Sequence, residues 1–103
     1  MFLTGQMPTD PAAPDAPLPQ GIVLQTQRVM ENLKLVLGGI SLGLENVTFV
    51  RIYLTEFHRD YAEMNATYQD FFEPGKLPGR TTIGVSGLAV GALVEIDMIA
   101  RRP

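Results

Sequence analysis

Arg80 is the side chain in this sequence that is best suited to binding a ligand. It stands at the start of the short segment RTTIGV, which is otherwise uncharged and rich in strand-forming residues. A guanidinium in that position is expected to be paired or aimed at an anion. Its planar fork can hold a carboxylate through two parallel hydrogen bonds. The segment therefore predicts a receptor for a small acid, and the elements around it must position the rest of the site.

Glu95 is the predicted partner of Arg80. The stretches 80–85 and 92–100 read as two strands around the turn-rich residues 86–91, and an antiparallel hairpin of these strands places Arg80 opposite Glu95. Two interpretations stay open. Arg80 and Glu95 form a plain cross-strand ion pair in the first interpretation. In the second, they border a hollow beside the small residues Thr82 and Gly84, where a small acid binds and a proton is transferred.

The same hairpin predicts which residues of the two strands face the core. Because side chains alternate between the faces of a strand, the apolar positions should share the other face. That core face is expected to carry Thr81, Ile83, Val85, Val94, Ile96 and Met98.

Several kinds of site are excluded by residue type. The chain has no cysteine and one histidine, His58, so a disulfide scaffold, thiol catalysis and a cysteine-ligated zinc are ruled out. His58 is expected to lie exposed in a loop, and Asp97, Arg101 and Arg102 to be solvated or interfacial charges. No phosphate-binding loop or dinucleotide fingerprint is present.

Composition indicates one globular domain over residues 1–103. Hydrophobic residues make up 46% and charged residues 18% of the chain, which argues against disorder and against a coiled coil. The net charge of -3 makes nucleic acid an unexpected partner. No membrane span or signal-like leader is visible in the sequence, so we expect a cytoplasmic location and no membrane partner.

The first half of the chain predicts a strand, a loop and a helix. Residues 1–6 read as a short strand, and five of the eight prolines then fall in residues 8–19, which predicts an extended surface loop that serves as a connector or as a lid. From Gly21 the apolar residues recur at helical spacing. Gly38-Gly39 should end this helix with a glycine in the left-handed conformation.

The second half predicts a strand and another helix before the hairpin. Val47 to Leu54 is rich in β-branched and aromatic residues and is expected to be covered on both faces. Asp60 and Glu63 have the spacing of a capping box at the start of a helix that ends at Pro74-Gly75. Its apolar stripe, expected to be core, is Tyr61, Met64, Tyr68, Phe71 and Phe72. The order β-α-β-α-β-β predicts an α+β sandwich with a mixed sheet and both helices on one face.

Four motifs in order along the chain resemble the RidA/YjgF family, some of whose members carry the label endoribonuclease L-PSP or translation inhibitor. These are TGQ at residues 4–6 before the proline-rich loop, NATY at 65–68 before Phe71-Phe72, PGRTT at 78–82 and VEID at 94–97. The resemblance implies a chorismate-mutase-like fold and a homotrimer whose sites lie in clefts between subunits. It also implies hydrolytic deamination of enamine and imine intermediates such as 2-aminoacrylate.

The resemblance implies roles for five residues. Arg80 matches the arginine that binds the substrate carboxylate, and Glu95 matches the glutamate that positions or activates water. Asn65 matches the asparagine of the NATY stretch, and the backbone of Gly5 is expected to line the cleft. Thr82 stands where the archetypal branch often has cysteine, and the family uses mainly the backbone there.

The implied chemistry needs no metal and no organic cofactor, because an imine is already electrophilic. Two other functions stay open: a binding or regulatory module for small carboxylates that has no catalytic activity, and the endoribonuclease or translation-inhibitor activity named for some relatives. One difference from the family is expected at the N-terminus, where the usual first strand and its cleft-closing tyrosine are missing. We expect either a natural start upstream of Met1 or another segment that covers the open edge, such as the proline-rich loop or a neighbouring subunit.

Overall fold

The computed structural model describes all of residues 1–103, which form four strands and two α-helices. The strands are β1 (Phe2–Gln6), β2 (Val47–Leu54), β3 (Gly79–Gly84) and β4 (Val94–Ala100). The helices are α1 (Gly21–Gly39) and α2 (Phe57–Gln69). Short 3₁₀ turns precede β2 and β4. No helix is long and apolar enough to cross a membrane.

The strands form one mixed sheet in the order β1-β4-β2-β3. β4 runs antiparallel to both β1 and β2, whereas β3 runs parallel to β2 and forms the far edge. Both helices pack on one face of this sheet. The predicted α+β class, mixed sheet and helix placement are confirmed.

The predicted hairpin of β3 and β4 is wrong. Arg80 is paired with Val50 and Glu95 with Tyr53, so β2 lies between the two strands. The segment that joins them crosses the end of β2, where the amide of Val85 donates to the carbonyl of Leu54. The turn-rich sequence therefore connects non-adjacent strands instead of closing a tight hairpin.

The helix-covered face of the sheet holds the core. Residues of α1, α2, β1, β2 and β4 form one hydrophobic cluster, which includes Val94, Ile96 and Met98 as predicted. The predicted core face of β3 is wrong, because Thr81 and Ile83 are exposed on the opposite face, here called the open face. Buried and exposed residues alternate along β2, so only one face of this strand is covered within the chain. The prediction that both faces are covered is therefore wrong for the single chain.

The predicted end of α1 at Gly38-Gly39 is confirmed, whereas the predicted left-handed glycine and the predicted start of α2 are wrong. Gly38 and Gly39 lie inside the last turn of α1, and the left-handed residue after it is Ser41, with φ of 61°. The capping box is absent, because α2 begins at Phe57, one turn before Asp60. The Asp60 carboxylate is instead held by Arg59 through two hydrogen bonds of 2.8 and 2.9 Å. The hydrogen bonds of Arg59 to this carboxylate raise the pKa of its guanidinium.

The proline-rich loop is fixed to α1 at both of its ends. The buried amide of Asn32 donates to the carbonyls of Met7 and Thr9, and Gln25 donates to the carbonyl of Pro19. The backbone hydrogen bonds within the loop are local, and none of them joins it to the outer edge of β1. Residues 8–19 therefore form a loop, as predicted, that lies against the helix layer.

Candidate functional site

Arg80 is held in one orientation by two side chains of α2. Its Nη1 donates to Oδ1 of Asn65 at 2.6 Å, and its Nη2 donates to the hydroxyl of Tyr61 at 2.8 Å. Tyr61, Asn65 and Tyr68 lie four and three residues apart, so one side of the helix presents all three to β3. Asn65, the asparagine of the NATY motif, is thus in direct contact with Arg80.

Two aromatic rings border the guanidinium. Its central carbon lies 5.1 Å from the ring centroid of Tyr68 and 5.7 Å from that of Tyr61, within the range of cation–π attraction. Burial raises the pKa of Tyr68 to about 12, against the lowering effect of the Arg80 charge. Tyr68 is therefore neutral at physiological pH and leaves the positive charge of Arg80 uncompensated.

Arg80 has no carboxylate partner in the chain. The four ion pairs of the molecule involve Lys34, Arg51, Arg59 and Lys76. Two of the five guanidinium N–H donors of Arg80 are used by neutral oxygens, which leaves three for a ligand. A half-buried, oriented and unneutralised guanidinium is suited to bind an anion.

The predicted hollow beside Arg80 is partly filled. Gly84 lies on the same side of β3, and a Cβ atom there would be 3.2 Å from Cβ of Phe57, so the small residue admits the start of α2. Thr82 lies between Gly84 and Arg80, and its hydroxyl oxygen is buried without a hydrogen-bond partner. We call Tyr61, Asn65, Arg80 and Thr82 the arginine half-site.

Gly5 and Glu95 meet on the open face of the sheet. A Cβ atom at Gly5 would lie 2.9 Å from the carboxyl carbon of Glu95, so only glycine leaves this side chain its present position. Glu95 is half-buried and receives no hydrogen bond or ion pair within the chain. We call these two residues the glutamate half-site.

The two half-sites lie on opposite faces of the sheet. Arg80 contacts α2 on the helix-covered face, whereas Glu95 alternates with the core residues Val94 and Ile96 and therefore points to the open face. The predicted pairing of Arg80 with Glu95 within one chain is wrong. A site that uses both residues requires two copies of the chain.

The main cavities of the single chain are lined by none of the residues of the two half-sites. A groove of about 650 Å³ runs between α1 and the end of α2, where it is lined by residues such as Leu24, Arg28 and Phe71. None of the predicted site residues borders it. His58, the lone histidine, is exposed in the first turn of α2, and its ring meets that of Phe57 at 5.5 Å.

Asp97, expected from the sequence to be a solvated or interfacial charge, is buried and paired within the chain. It is 6% exposed and accepts two hydrogen bonds from Arg51, at 2.9 and 3.0 Å, and one from the Tyr53 hydroxyl at 3.1 Å. Burial and the hydrogen bond to Asp97 raise the pKa of Tyr53, and the bond to the same carboxylate raises the pKa of Arg51. This network occupies the open face beside Glu95.

Two features of the site escape sequence reasoning. The apolar stripe that contains Tyr61 predicts that this residue lies in the core. Only its four-residue spacing from Asn65 indicates that the two side chains could contact the same residue, Arg80. The contact of Arg51 with Asp97 joins neighbouring strands that are 46 residues apart in sequence, and no local pattern reports it.

Comparisons with known proteins agree with the fold and the motifs. A family model described as endoribonuclease L-PSP matches residues 1–102. Protein DfrA of Myxococcus xanthus is 45% identical over 100 residues, which are 96% of this chain and 73% of that protein. A RutC family protein of Pyrococcus horikoshii is 36% identical over 100 residues, which are 97% of this chain and 77% of that protein.

A solved structure shows the same architecture. The crystal structure of TdcF from E. coli with bound serine superposes with a TM-score of 0.91 at 26% identity, covering 99% of this chain and 80% of that one. The family match, the two relatives and this superposition each extend over nearly the whole chain. The chain therefore belongs to the RidA/YjgF family, whose model is described as endoribonuclease L-PSP.

Proposed function

We propose that this protein hydrolyses reactive enamines and imines of small 2-amino acids, such as 2-aminoacrylate and its imine tautomer, to 2-oxo acids and ammonia. The observation that carries the proposal is the orientation of Arg80 by Asn65 and Tyr61 with no carboxylate to neutralise it. Such a receptor fits a small substrate carboxylate. The serine bound to TdcF is itself a small amino acid with a carboxylate, which supports this class of ligand.

The proposed site lies between two copies of the chain in a homotrimer. One copy supplies the arginine half-site and its neighbour supplies Gly5 and Glu95, because no single chain brings Arg80 and Glu95 to the same face. The open face also exposes Phe2, Ile83 and Ile99, each more than 40% accessible, which a neighbouring copy would cover. A single RidA/YjgF domain over residues 1–103 and a cytoplasmic location stay predictions of the sequence.

The proposed mechanism relies on orientation and proton transfer. Arg80 binds the carboxylate and fixes the adjacent imine carbon, while Glu95 positions a water and accepts its proton as the oxygen attacks. The new C–O bond gives a carbinolamine. Proton transfer to its nitrogen and cleavage of the C–N bond release ammonia and leave the 2-oxo acid. Thr82 and the backbone of Gly5 border the ligand in this scheme.

The test is ammonia release from freshly generated 2-aminoacrylate, measured above the spontaneous rate. Arg80→Ala should lower kcat/KM by about 30- to 1,000-fold, which corresponds to about 2–4 kcal/mol for the lost charged hydrogen bonds. Arg101→Ala is the matched control, because this arginine is exposed and makes no side-chain hydrogen bond. Turnover by Arg80→Ala equal to that of the control would refute the proposal.

The same assay distinguishes a deaminase from a protein that only binds carboxylates. Such a module would bind a small carboxylate through Arg80 and would release no ammonia above the spontaneous rate. Glu95→Gln adds a second distinction, since it should reduce turnover more than ligand affinity if the carboxylate accepts a proton.

A further inference from the structure

The hydroxyl of Tyr61 has a proton that the chain does not use. Its oxygen accepts a hydrogen bond from Nη2 of Arg80 at 2.8 Å, so the O–H bond must point elsewhere. No carbonyl, carboxylate or amide oxygen of the chain accepts from it. The residue is half-buried, at the border of the site. A directed donor without an acceptor therefore stands next to the proposed carboxylate receptor.

Tyr61 is the only residue whose hydroxyl is hydrogen-bonded to Arg80. Asn65 accepts from the guanidinium through its carbonyl oxygen, and its amide N–H groups and the buried Thr82 hydroxyl are unpaired donors that are not bonded to Nη2. The Tyr68 hydroxyl is buried in the core, with no hydrogen-bond partner. Tyr61 is thus the one tyrosine whose hydroxyl is bonded to the guanidinium and has a proton left to donate.

Simple geometry indicates which ligand atom this proton can reach. One hydrogen of Nη2 is bonded to the Tyr61 oxygen, and the other is available to a carboxylate oxygen of the ligand. Two acceptors that are each about 2.9 Å from one nitrogen in this way lie about 5 Å apart. In a planar 2-oxo acid, standard bond lengths place the C2 oxygen about 2.7 Å from the nearer carboxylate oxygen. A further hydrogen bond of about 2.8 Å spans the remaining distance to the Tyr61 oxygen.

We propose that Tyr61 determines specificity by donating a hydrogen bond to the atom on C2 of the ligand, the imine nitrogen of the substrate or the carbonyl oxygen of the product. The proposal rests on the proposed function, in that Arg80 must hold the carboxylate. It predicts that the site distinguishes acids with an acceptor on C2 from otherwise similar acids without one. Propionate and pyruvate differ in this way and have similar size.

The experiment measures the affinity of the intact protein for pyruvate and for propionate by NMR titration. Wild type should bind pyruvate about 3- to 10-fold more tightly than propionate, the usual net effect of one neutral hydrogen bond. Tyr61→Phe should abolish this preference by weakening pyruvate binding, with propionate affected far less. Tyr68→Phe is the matched control and should keep the preference, since its hydroxyl contacts no ligand atom in this scheme.

The outcomes separate this inference from the proposed function. Equal affinity of wild type for the two acids, or an undiminished preference in Tyr61→Phe, overturns the role of Tyr61 while Arg80 remains the receptor. Arg80→Ala should lose affinity for both acids. If Arg80→Ala binds both as wild type does, the proposed function fails as well. A structural defect in Tyr61→Phe would weaken both acids equally, and that result also contradicts the inference.

Discussion

A site shared between copies can be rebuilt from two inactive variants. Arg80→Ala chains keep Glu95, and Glu95→Gln chains keep Arg80. Because these residues lie on opposite faces of the sheet, each proposed site takes Arg80 from one chain and Glu95 from another. Equal amounts of the two variants, unfolded together and refolded, should therefore form some sites in which both residues are intact.

The expected recovery follows from random assortment. Each shared site has about one chance in two of receiving an intact Arg80 and about one in two of receiving an intact Glu95, which gives about one quarter of wild-type deaminase activity. Refolding either variant alone should give only its own residual rate. The assay is ammonia release from 2-aminoacrylate at fixed total protein concentration.

A second mixture sharpens the result. The double variant Arg80→Ala/Glu95→Gln, refolded with an equal amount of wild type, should give about one quarter of wild-type activity if sites are shared and about one half if each chain holds its own site. Recovery of one half, or no recovery from the two single variants after demonstrated subunit mixing, would refute the assignment of Arg80 and Glu95 to different chains.

Three other substitutions test separate parts of the structure. Gly5→Ala should displace the Glu95 carboxylate and lower deaminase turnover by at least about tenfold, with an unchanged far-UV spectrum, while Gly87→Ala, which meets no atom within 4 Å, should be neutral. Folding raises the pKa of Tyr68 from 10.0 to about 12. The neutral Tyr68 side chain therefore makes its full contribution to stability below pH 10, and this contribution is lost as the pH rises through about 12. Urea titrations should therefore show wild type losing up to about 1.4 kcal/mol between pH 8 and pH 11 that Tyr68→Phe does not lose. Asp97→Asn should lower the free energy of unfolding by about 1–2 kcal/mol, measured by urea at pH 7, because the buried acceptor of Arg51 loses its charge; no change in the urea midpoint would contradict that role.

The local elements of this fold are readable from the sequence. Strand β2 and helix α1 follow from β-branched content and from apolar residues at helical spacing, and proline content marks the loop between β1 and α1. Arg80 is identifiable as a ligand-binding candidate because a guanidinium in an otherwise uncharged strand needs an anionic partner. The motifs that resemble the RidA/YjgF family extend this reading to Asn65, Thr82, Glu95 and Gly5.

The pairing of distant segments was decided by the tertiary structure. Side-chain alternation assigns residues to two faces of a strand but does not say which neighbour it has, so the sequence is equally compatible with a β3–β4 hairpin and with β2 between them. The crossover through α2 places β3 parallel to β2, and this reverses the face that carries Arg80. Arg80 and Glu95 are separated for that reason, and Tyr61 becomes a polar neighbour of the guanidinium instead of a core ring. Residue types determine which groups are available, whereas strand order and helix packing determine which of them meet.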